Sequence, residues 1–412
     1  MTSLARRRLM LLALTSTTSC DISGSRARID GEWHRRALLE GHLSKWLAVA
    51  PTSSGWFATS FDRRWRPKKM IGTSLTQQSR LVYAMASGFE LTQDRRYLEA
   101  ATRGADFLLD RFHDAEHGGF YNSVSADGKV VSDSKQSYGH AFALFALSHM
   151  FRVGKEERFR TAAMRAWRDV DANLRDASGG LRGAAARDFT FKEGARSQNP
   201  VMHMFEALLA LVDATGDAEA RAGATSVGNF VVYKLLQGSA DGSAFIPEWY
   251  DEQWRALPTR EKGGYVDLGH QFEWSHMLLT SNLRGLPEIF APVSERVLQY
   301  ALKVGYDESE GGAFSTSFPD GSIARNKYWW PQAECLRALI TAAAITDRAD
   351  LWHRYEQTMQ LVRNEFIDPE NGGWRNGSLK LCARDGCPDE QPDPYHMTGM
   401  HLAAIRVAAE SR

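Results

Sequence analysis

The stretch His140–Val170, HAFALFALSHMFRVGKEERFRTAAMRAWRDV, holds two helical patterns of opposite character. The first half is apolar around almost its whole circumference. In the second half Phe159, Ala163, Trp167 and Val170 recur at helical spacing on one face, and the arginines occupy the other. The intervening VGK supplies a tight turn. An apolar helix has to be buried on most sides, whereas a charged amphipathic one is buried on a single side. Such a pair therefore predicts one inner and one outer helix.

Working outward, the pair belongs to a repeat. A glycine followed by apolar or aromatic residues recurs as GWFATS at Gly55, GGFYNS at Gly118, GGLRGA at Gly179, GSAFIPEW at Gly242, GGAFSTS at Gly311 and GGWRNG at Gly372. Successive steps are 63, 61, 63, 69 and 61 residues. Preceding runs such as DAEHGG, DASGG, DESEGG and DPENGG are turn signals, with glycine free to take positive φ. Brief hairpins are expected beside them. Two helical patterns fill each interval, separated by TQD, VGK, TGD or TD. Six such units predict an all-α (α/α)6 barrel spanning residues 31–412, closed by pairing the helix near Gly31–Ala50 with the one near Tyr395–Ala409. An open solenoid of the same repeats is the alternative.

Composition narrows the function. With 50 Lys+Arg, 50 Asp+Glu and 43% hydrophobic residues, the chain is globular and uncharged overall. A nucleic-acid surface is not expected. Residues 1–30 read as an address: Arg6, Arg7 and Arg8, the apolar Leu9–Leu14, then the small residues Thr15–Ser19. The arginine pair resembles a twin-arginine signal. Export to the periplasm is the expectation, with a lipid anchor at Cys20 as a weaker one, because Thr17 stands where an apolar residue is usual. A misplaced start and a cytoplasmic protein is the alternative. In an oxidising compartment Cys382 and Cys387 of CARDGC can close a small disulfide. Cys335 reads as a core thiol.

Polar residues interrupt the apolar helices soon after each glycine turn. From Arg80 the steps to His140, His203, His270, Glu334 and His396 are 60, 63, 67, 64 and 62 residues. Equal phase in a closed ring predicts equal height, so these residues are expected at one end of the barrel. Each alone reads as a satisfied core residue. Together they predict a polar pocket, since unpaired buried polar groups cost a few kcal/mol, ~2 or more each. Trp56, Tyr121, Trp329 and Trp330 add aromatic faces that suit a sugar ring. His270, Glu273 and His276 are too spread along a helix to share one metal, and no HExxH or EF-hand pattern occurs, so no metal is expected. No phosphate or dinucleotide loop stands in a strand–helix context either.

The segments GHQFEWSHMLL, NPVMHMFEALLAL, YGHAFALFALS, KYWWPQAE and PDPYH resemble the N-acylglucosamine 2-epimerase superfamily, which includes mannose and sulfoquinovose aldose–ketose isomerases and cellobiose 2-epimerases. The resemblance spans nearly residues 32–410. It implies an (α/α)6 barrel acting on a free, unphosphorylated sugar through a cis-enediolate, with no cofactor. It implies that His270 and His396 serve as acid and base and that Glu273 orients its neighbouring histidine. His203 corresponds to a third histidine that contacts substrate and assists ring opening. Arg80 and Arg260 resemble arginines that steady sugar oxygens, and Asn199 and Tyr121 match substrate contacts. Trp330, Glu334 and His140 complete the expected substrate-binding set. FEW and PDPYH look more like the isomerase branch, while Gly399 departs from the longer polar side chain common three residues after the last histidine.

A sugar 2-epimerase is the nearest alternative. A glycoside hydrolase using Glu206, Glu273 or Glu334 is another, since that chemistry needs paired carboxyl groups. A non-catalytic sugar- or protein-binding barrel is a third. The sugar, and the choice between monomer and homodimer, are left open by the sequence.

Overall fold

The structure is a computed structural model that describes residues 29–410 except Lys192. The expected leader and Cys20 therefore lie outside the described residues, save for Ile29 and Asp30. α1 (Gly31–Leu38), a π-helical turn at Leu39–Leu43 and α2 (Ser44–Val49) form a continuous helical segment. Five helix pairs follow: α3 (Leu75–Thr92) with α4 (Arg95–Phe107), α5 (Ser137–Gly154) with α6 (Glu157–Asn173), α7 (Gln198–Thr215) with α8 (Ala218–Phe230), α9 (Leu268–Ser281) with α10 (Phe290–Gly305), and α11 (Trp329–Thr346) with α12 (Ala349–Glu365). A short α13 (Leu379–Asp385) precedes α14 (Tyr395–Glu410).

The helices α3, α5, α7, α9, α11 and α14 pack in sequence as an inner ring, and α14 packs back on α3. Each outer helix covers the inner helix of its own unit, and α1 covers α14. The ring is closed, so the fold is an (α/α)6 barrel and the open solenoid is set aside. The burial pattern follows the expected division of roles. α5 is buried continuously from Gly139 to Met150, whereas α6 buries only Phe159, Ala163, Met164, Ala166, Trp167 and Val170. Tight turns between paired helices rest on left-handed residues at the inner-helix ends, Gln93, Lys155, Gly216 and Asp347.

The glycine turns explain the acidic residue ahead of them. Asp114, Asp176, Asp307 and Asp368 each accept two backbone N–H groups of the turn that follows. At these four turns the flanking residues form single bridges, such as His113 with Phe120 and Tyr306 with Ala313, while the Gly242 turn carries a short hairpin that pairs Gln237–Gly238 with Ala244–Phe245. The longer pairing joins neighbouring units. β1 (Gly72–Ser74), which leads into α3, pairs with β2 (Ser123–Ser125) of the next unit, and β2 pairs with β3 (Val130–Ser132). The first residue of each of five inner helices then donates its N–H to a loop carbonyl of the next unit: Leu75 to Asn122, Ser137 to Gly183, Gln198 to Glu248, Leu268 to Ser315 and Trp329 to Asn376.

This shared starting point sets the true register, and it differs from the phase read off the sequence. The residues at equal height are Arg80, Phe142, His203, Glu273 and Glu334, each the sixth of its helix. Asn199 and Trp330 belong to the second position together with Tyr138, and His270 to the third.

His140 is the clearest correction. It occupies the fourth position with Gln78, Gln271 and Gln332. Those three amides each clasp both backbone groups of the residue after a glycine turn: Phe57, Ile246 and Ala313. His140 does the same job with one nitrogen, accepting from Phe120 N–H at Nε2 (2.9 Å) while Nδ1–H donates to Gln136 O (2.8 Å). Both nitrogens are consumed and the residue is fully buried, so it braces the wall and has no nitrogen free to bind a substrate.

Cys382 and Cys387 are joined by a disulfide with Cα atoms 4.7 Å apart, and Cys335 is a buried free thiol. Among the described residues no helix is long and apolar enough to cross a membrane.

Burial also determines the response to acid. Desolvation holds His34, His42, His140 and His203 down at about 4. In the unfolded chain a histidine takes its proton near ~6.5. These four are thus neutral in the fold, and their contribution is complete above the unfolded value. It is lost as pH falls from there toward about 4, at on the order of 3 kcal/mol each over the whole interval. The melting temperature is expected to drop steeply between pH 7 and pH 5. A flat profile across that interval would show that these histidines are hydrated in the fold.

Candidate active site

The loops that begin the inner helices converge on one end of the barrel, and His270 and His396 both stand there against one indole. The Trp330 ring lies 5.0 Å from the His270 ring and 5.3 Å from that of His396, centroid to centroid. Trp329 meets His396 edge-on at 5.6 Å.

Both imidazoles are backed by a carboxylate at Nδ1. His396 donates from Nδ1–H to Glu334 Oε1 at 2.7 Å. His270 donates from Nδ1–H to Glu248 Oε2 at 2.8 Å. Neither Nε2 has a hydrogen-bond partner among the described residues. A histidine held in this way presents a single nitrogen for proton transfer. Burial works against a charge on His270, but the nearby carboxylates of Asp267 and Glu248 outweigh it and raise the group to about 10. Asp267 caps α9, accepting the His270 N–H at 3.1 Å.

The expected partner of His270 is therefore corrected. Glu273 lies three residues along the same helix, yet Glu248 holds the ring. Glu273 is fully buried, and neither of its oxygens has a hydrogen-bond partner. Burial, with Glu334 and Glu206 close by, pushes its carboxyl well above the usual range. Glu334, expected as a substrate contact, instead holds His396.

His203 sits between the rings of Phe142 (4.7 Å) and Tyr138 (5.1 Å). Its Nδ1 is 3.4 Å from Glu206 and 4.0 Å from Glu273. Glu206 also accepts from the Tyr395 hydroxyl. Arg337 reaches Glu206 at 3.4 Å and Glu334 at 3.5 Å. Ligand atoms of His203, Glu206 and Glu273, and of Glu273, Glu334 and His396, lie within 4.8 Å of one another in each group, a spacing a cation would accept. The Arg337 guanidinium already supplies positive charge between two of these carboxylates.

Arg80 donates to Asp393 at 2.8 Å and to the Tyr138 hydroxyl at 2.7 Å, with its guanidinium 4.4 Å from the Phe142 centroid. It is thus a fixed cation in the same tier as His203 and Glu273. Asn199, on the first turn of α7, keeps a buried side-chain oxygen without a partner, as a hydroxyl-binding group would. Two expected residues are held elsewhere. Tyr121 belongs to a loop network, taking a hydrogen bond from Arg187 (3.2 Å) beneath the Lys135 ammonium (4.8 Å). Arg260 is exposed on a 3-10 turn, stacked 4.1 Å from the Phe318 ring.

Glu248, Gln198, Asp267, Tyr138, Arg337 and Asp393 escaped the sequence reading. Two carried a signal. Arg337 follows Glu334 by one helical turn, and Asp393 lies in the quoted PDPYH. Glu248 sits in an irregular loop, where periodicity says nothing.

Comparison with known proteins places this arrangement. The model of the N-acylglucosamine 2-epimerase (GlcNAc 2-epimerase) family matches residues 55–399. A protein of Rhizobium meliloti (strain 1021) named mannose-6-phosphate isomerase is 29% identical over 387 residues, covering 87% of this chain and 95% of its own. A D-mannose isomerase of Marinomonas mediterranea is 25% identical, covering 82% and 88%. The crystal structure of a D-mannose isomerase superposes with a TM-score of 0.83 over 92% of this chain and 98% of that one, at 21% identity. The match to the family extends through all but the ends of the barrel, so the chain belongs to the N-acylglucosamine 2-epimerase family and is an enzyme of the isomerase and epimerase class.

Proposed function

We propose that the protein interconverts a free mannose-like aldose and its ketose by proton transfer through a cis-enediolate. The observation that carries this reading is the pair of imidazoles about Trp330, each backed by a carboxylate at Nδ1 and unpartnered at Nε2. One imidazole takes the proton from C2 of the opened sugar as the carbonyl oxygen O1 gains one. The enediol then loses the O2 proton while C1 is protonated. One hydrogen has moved from C2 to C1 and one from O2 to O1, so no outside electron acceptor takes part. The barrier resides mainly in the negative charge on the enediolate oxygens, and a fixed cation lowers it without reorganisation. Arg80, locked by Asp393 and Tyr138, is such a cation, and the unpartnered oxygen of Asn199 suits a sugar hydroxyl. The names of the relatives favour mannose as the sugar. We also place the enzyme outside the cytoplasm. The leader expected at residues 1–30 and the Cys382–Cys387 disulfide both favour an oxidising compartment.

Proton NMR in heavy water, with mannose, mannose 6-phosphate, glucose and cellobiose offered in turn, tests the reading. Mannose is expected to yield fructose, with deuterium entering the carbon-bound positions. The epimeric aldose alone would move the assignment to 2-epimerisation. No turnover and no exchange with any of the four would remove the mannose-like substrate.

A further inference from the structure

We infer that Glu248 is the positioning residue of His270: it determines which imidazole nitrogen carries the proton and so presents Nε2 to the sugar. The inference rests on the reading of His270 as an acid–base group.

The Glu248 carboxylate is almost wholly buried, and every hydrogen bond that holds it comes from a group with no freedom to leave. Oε1 accepts from the Ser197 hydroxyl at 3.0 Å. Oε2 accepts from Gln198 Nε2 and from His270 Nδ1, both at 2.8 Å. The amide of Gln198 is itself oriented, because its oxygen accepts from the Trp274 indole N–H at 2.6 Å. An indole nitrogen only donates, so the Gln198 oxygen must face Trp274 and its NH2 must face Glu248 and His270. The main chain fixes the residue as well: Glu248 N–H donates to Tyr265 O at 2.9 Å, and its carbonyl receives the N–H of Gln198 at 3.1 Å.

Nδ1 has two neighbours, Gln198 Nε2 at 3.0 Å and Glu248 Oε2 at 2.8 Å. The carboxylate is nearer and charged, and a bare Nδ1 lone pair beside it would be repelled, so Nδ1 carries hydrogen and donates to Glu248. Nε2 is then the nitrogen that gains and loses the catalytic proton. The charged and titratable groups facing His270 are Glu248 from the loop before α9, Asp267 and Glu273 on α9 itself, and His203 from α7. Trp330 of α11 contributes no charge. Glu248 is the one that bonds the ring directly. The device comes from α7, the following loop and α9 together, and hence from two adjacent repeats.

The test uses Glu248→Gln in the full chain. A glutamine keeps the volume and, with its oxygen in the place of Oε2, the bonds from Gln198 and His270, but removes the charge. The expected result is a ~10²–10⁴-fold fall in kcat with KM changed less than about three-fold. The pH limb governed by His270 is expected to move down, because a carboxylate that favours the imidazolium is gone. Glu248→Asp is expected to recover part of the loss. On a His270→Asn background Glu248→Gln should cause no further loss, since the two residues act as a unit. Nitrogen-15 NMR of the histidines provides the measurement that does not pass through activity. In the wild type the neutral form of His270 is expected to carry hydrogen at Nδ1, and in Glu248→Leu, which leaves Nδ1 no carboxyl or amide oxygen, that preference should disappear. Wild-type kcat and pH profile in Glu248→Gln, a full additive loss in the double variant, or an unchanged nitrogen pattern in Glu248→Leu would each overturn the inference. If His270→Asn alone kept full activity, the acid–base reading would fail instead, and the nitrogen pattern would still decide whether Glu248 sets the tautomer.

Discussion

His396→Asn is expected to lower kcat by ~10²–10⁴-fold while the barrel stays folded. Asparagine has neither a ring nitrogen that can take up and release a proton nor the reach of Nε2. It leaves Glu334 in place with Arg337 3.5 Å away, so the buried carboxylate keeps a partner. His270→Asn is expected to fall in the same range. The contrasting variant is His140→Gln. Glutamine stands at the equivalent wall position of three other units, at Gln78, Gln271 and Gln332, where it satisfies the same backbone groups. Activity within about three-fold of wild type is therefore expected there. Kinetics of the three variants, with circular dichroism to check the fold, make the comparison. If His140→Gln were as inactive as His396→Asn, His140 would belong to the substrate pocket after all. If His396→Asn kept more than about a tenth of kcat, the acid–base pair would be wrong.

The second large effect is structural. Asp114 and Lys135 are both fully buried, with Nζ 2.9 Å from Oδ2, and Lys135 also donates to the carbonyl of Gly118 at 2.8 Å. Arg187 adds two hydrogen bonds to the same carboxylate, while the Asp114 Oδ1 caps the glycine turn. Asp114→Ala strips the carboxylate from a buried ammonium and from a turn at once. Breaking such a pair from one side costs about 3–5 kcal/mol. Urea denaturation is expected to show that loss, and Asp114→Ala/Lys135→Met should regain part of it because the orphan charge is gone. A cost below about 1 kcal/mol for the single variant would mean that water reaches the ammonium. The change should also reach the active site. Lys135 lies in the two-residue strand ahead of α5, and Tyr138 on the first turn of that helix holds Arg80.

The polar residues of the inner helices stood out in the sequence because a polar residue in an otherwise apolar helix is conspicuous, whereas the choice of His270 and His396 among them is what the family resemblance implied. The division into inner and outer helices was readable for a similar reason: helical periodicity and glycine turns are local properties. Neither fact reveals how far along its helix a given residue stands. That depends on where each inner helix begins, and the start is set by an N–H reaching a carbonyl in the next unit, as from Leu75 to Asn122 or from Ser137 to Gly183. A shift of two residues separates His140 in the wall from Phe142 in the tier of Arg80 and His203. Steps of sixty to sixty-seven residues do not resolve it.

Partners were harder still. The family resemblance implied Glu273 as the support of His270, yet the bond goes to Glu248, 22 residues earlier in an irregular loop. The repeat and the division into inner and outer helices thus follow from patterns within single helices. The carboxylate behind each imidazole, the buried Glu273 and the fixed Arg80 follow from loops and helices of different repeats meeting at one rim. Hydrogen-bond partners chosen across the barrel leave no spacing rule in the chain.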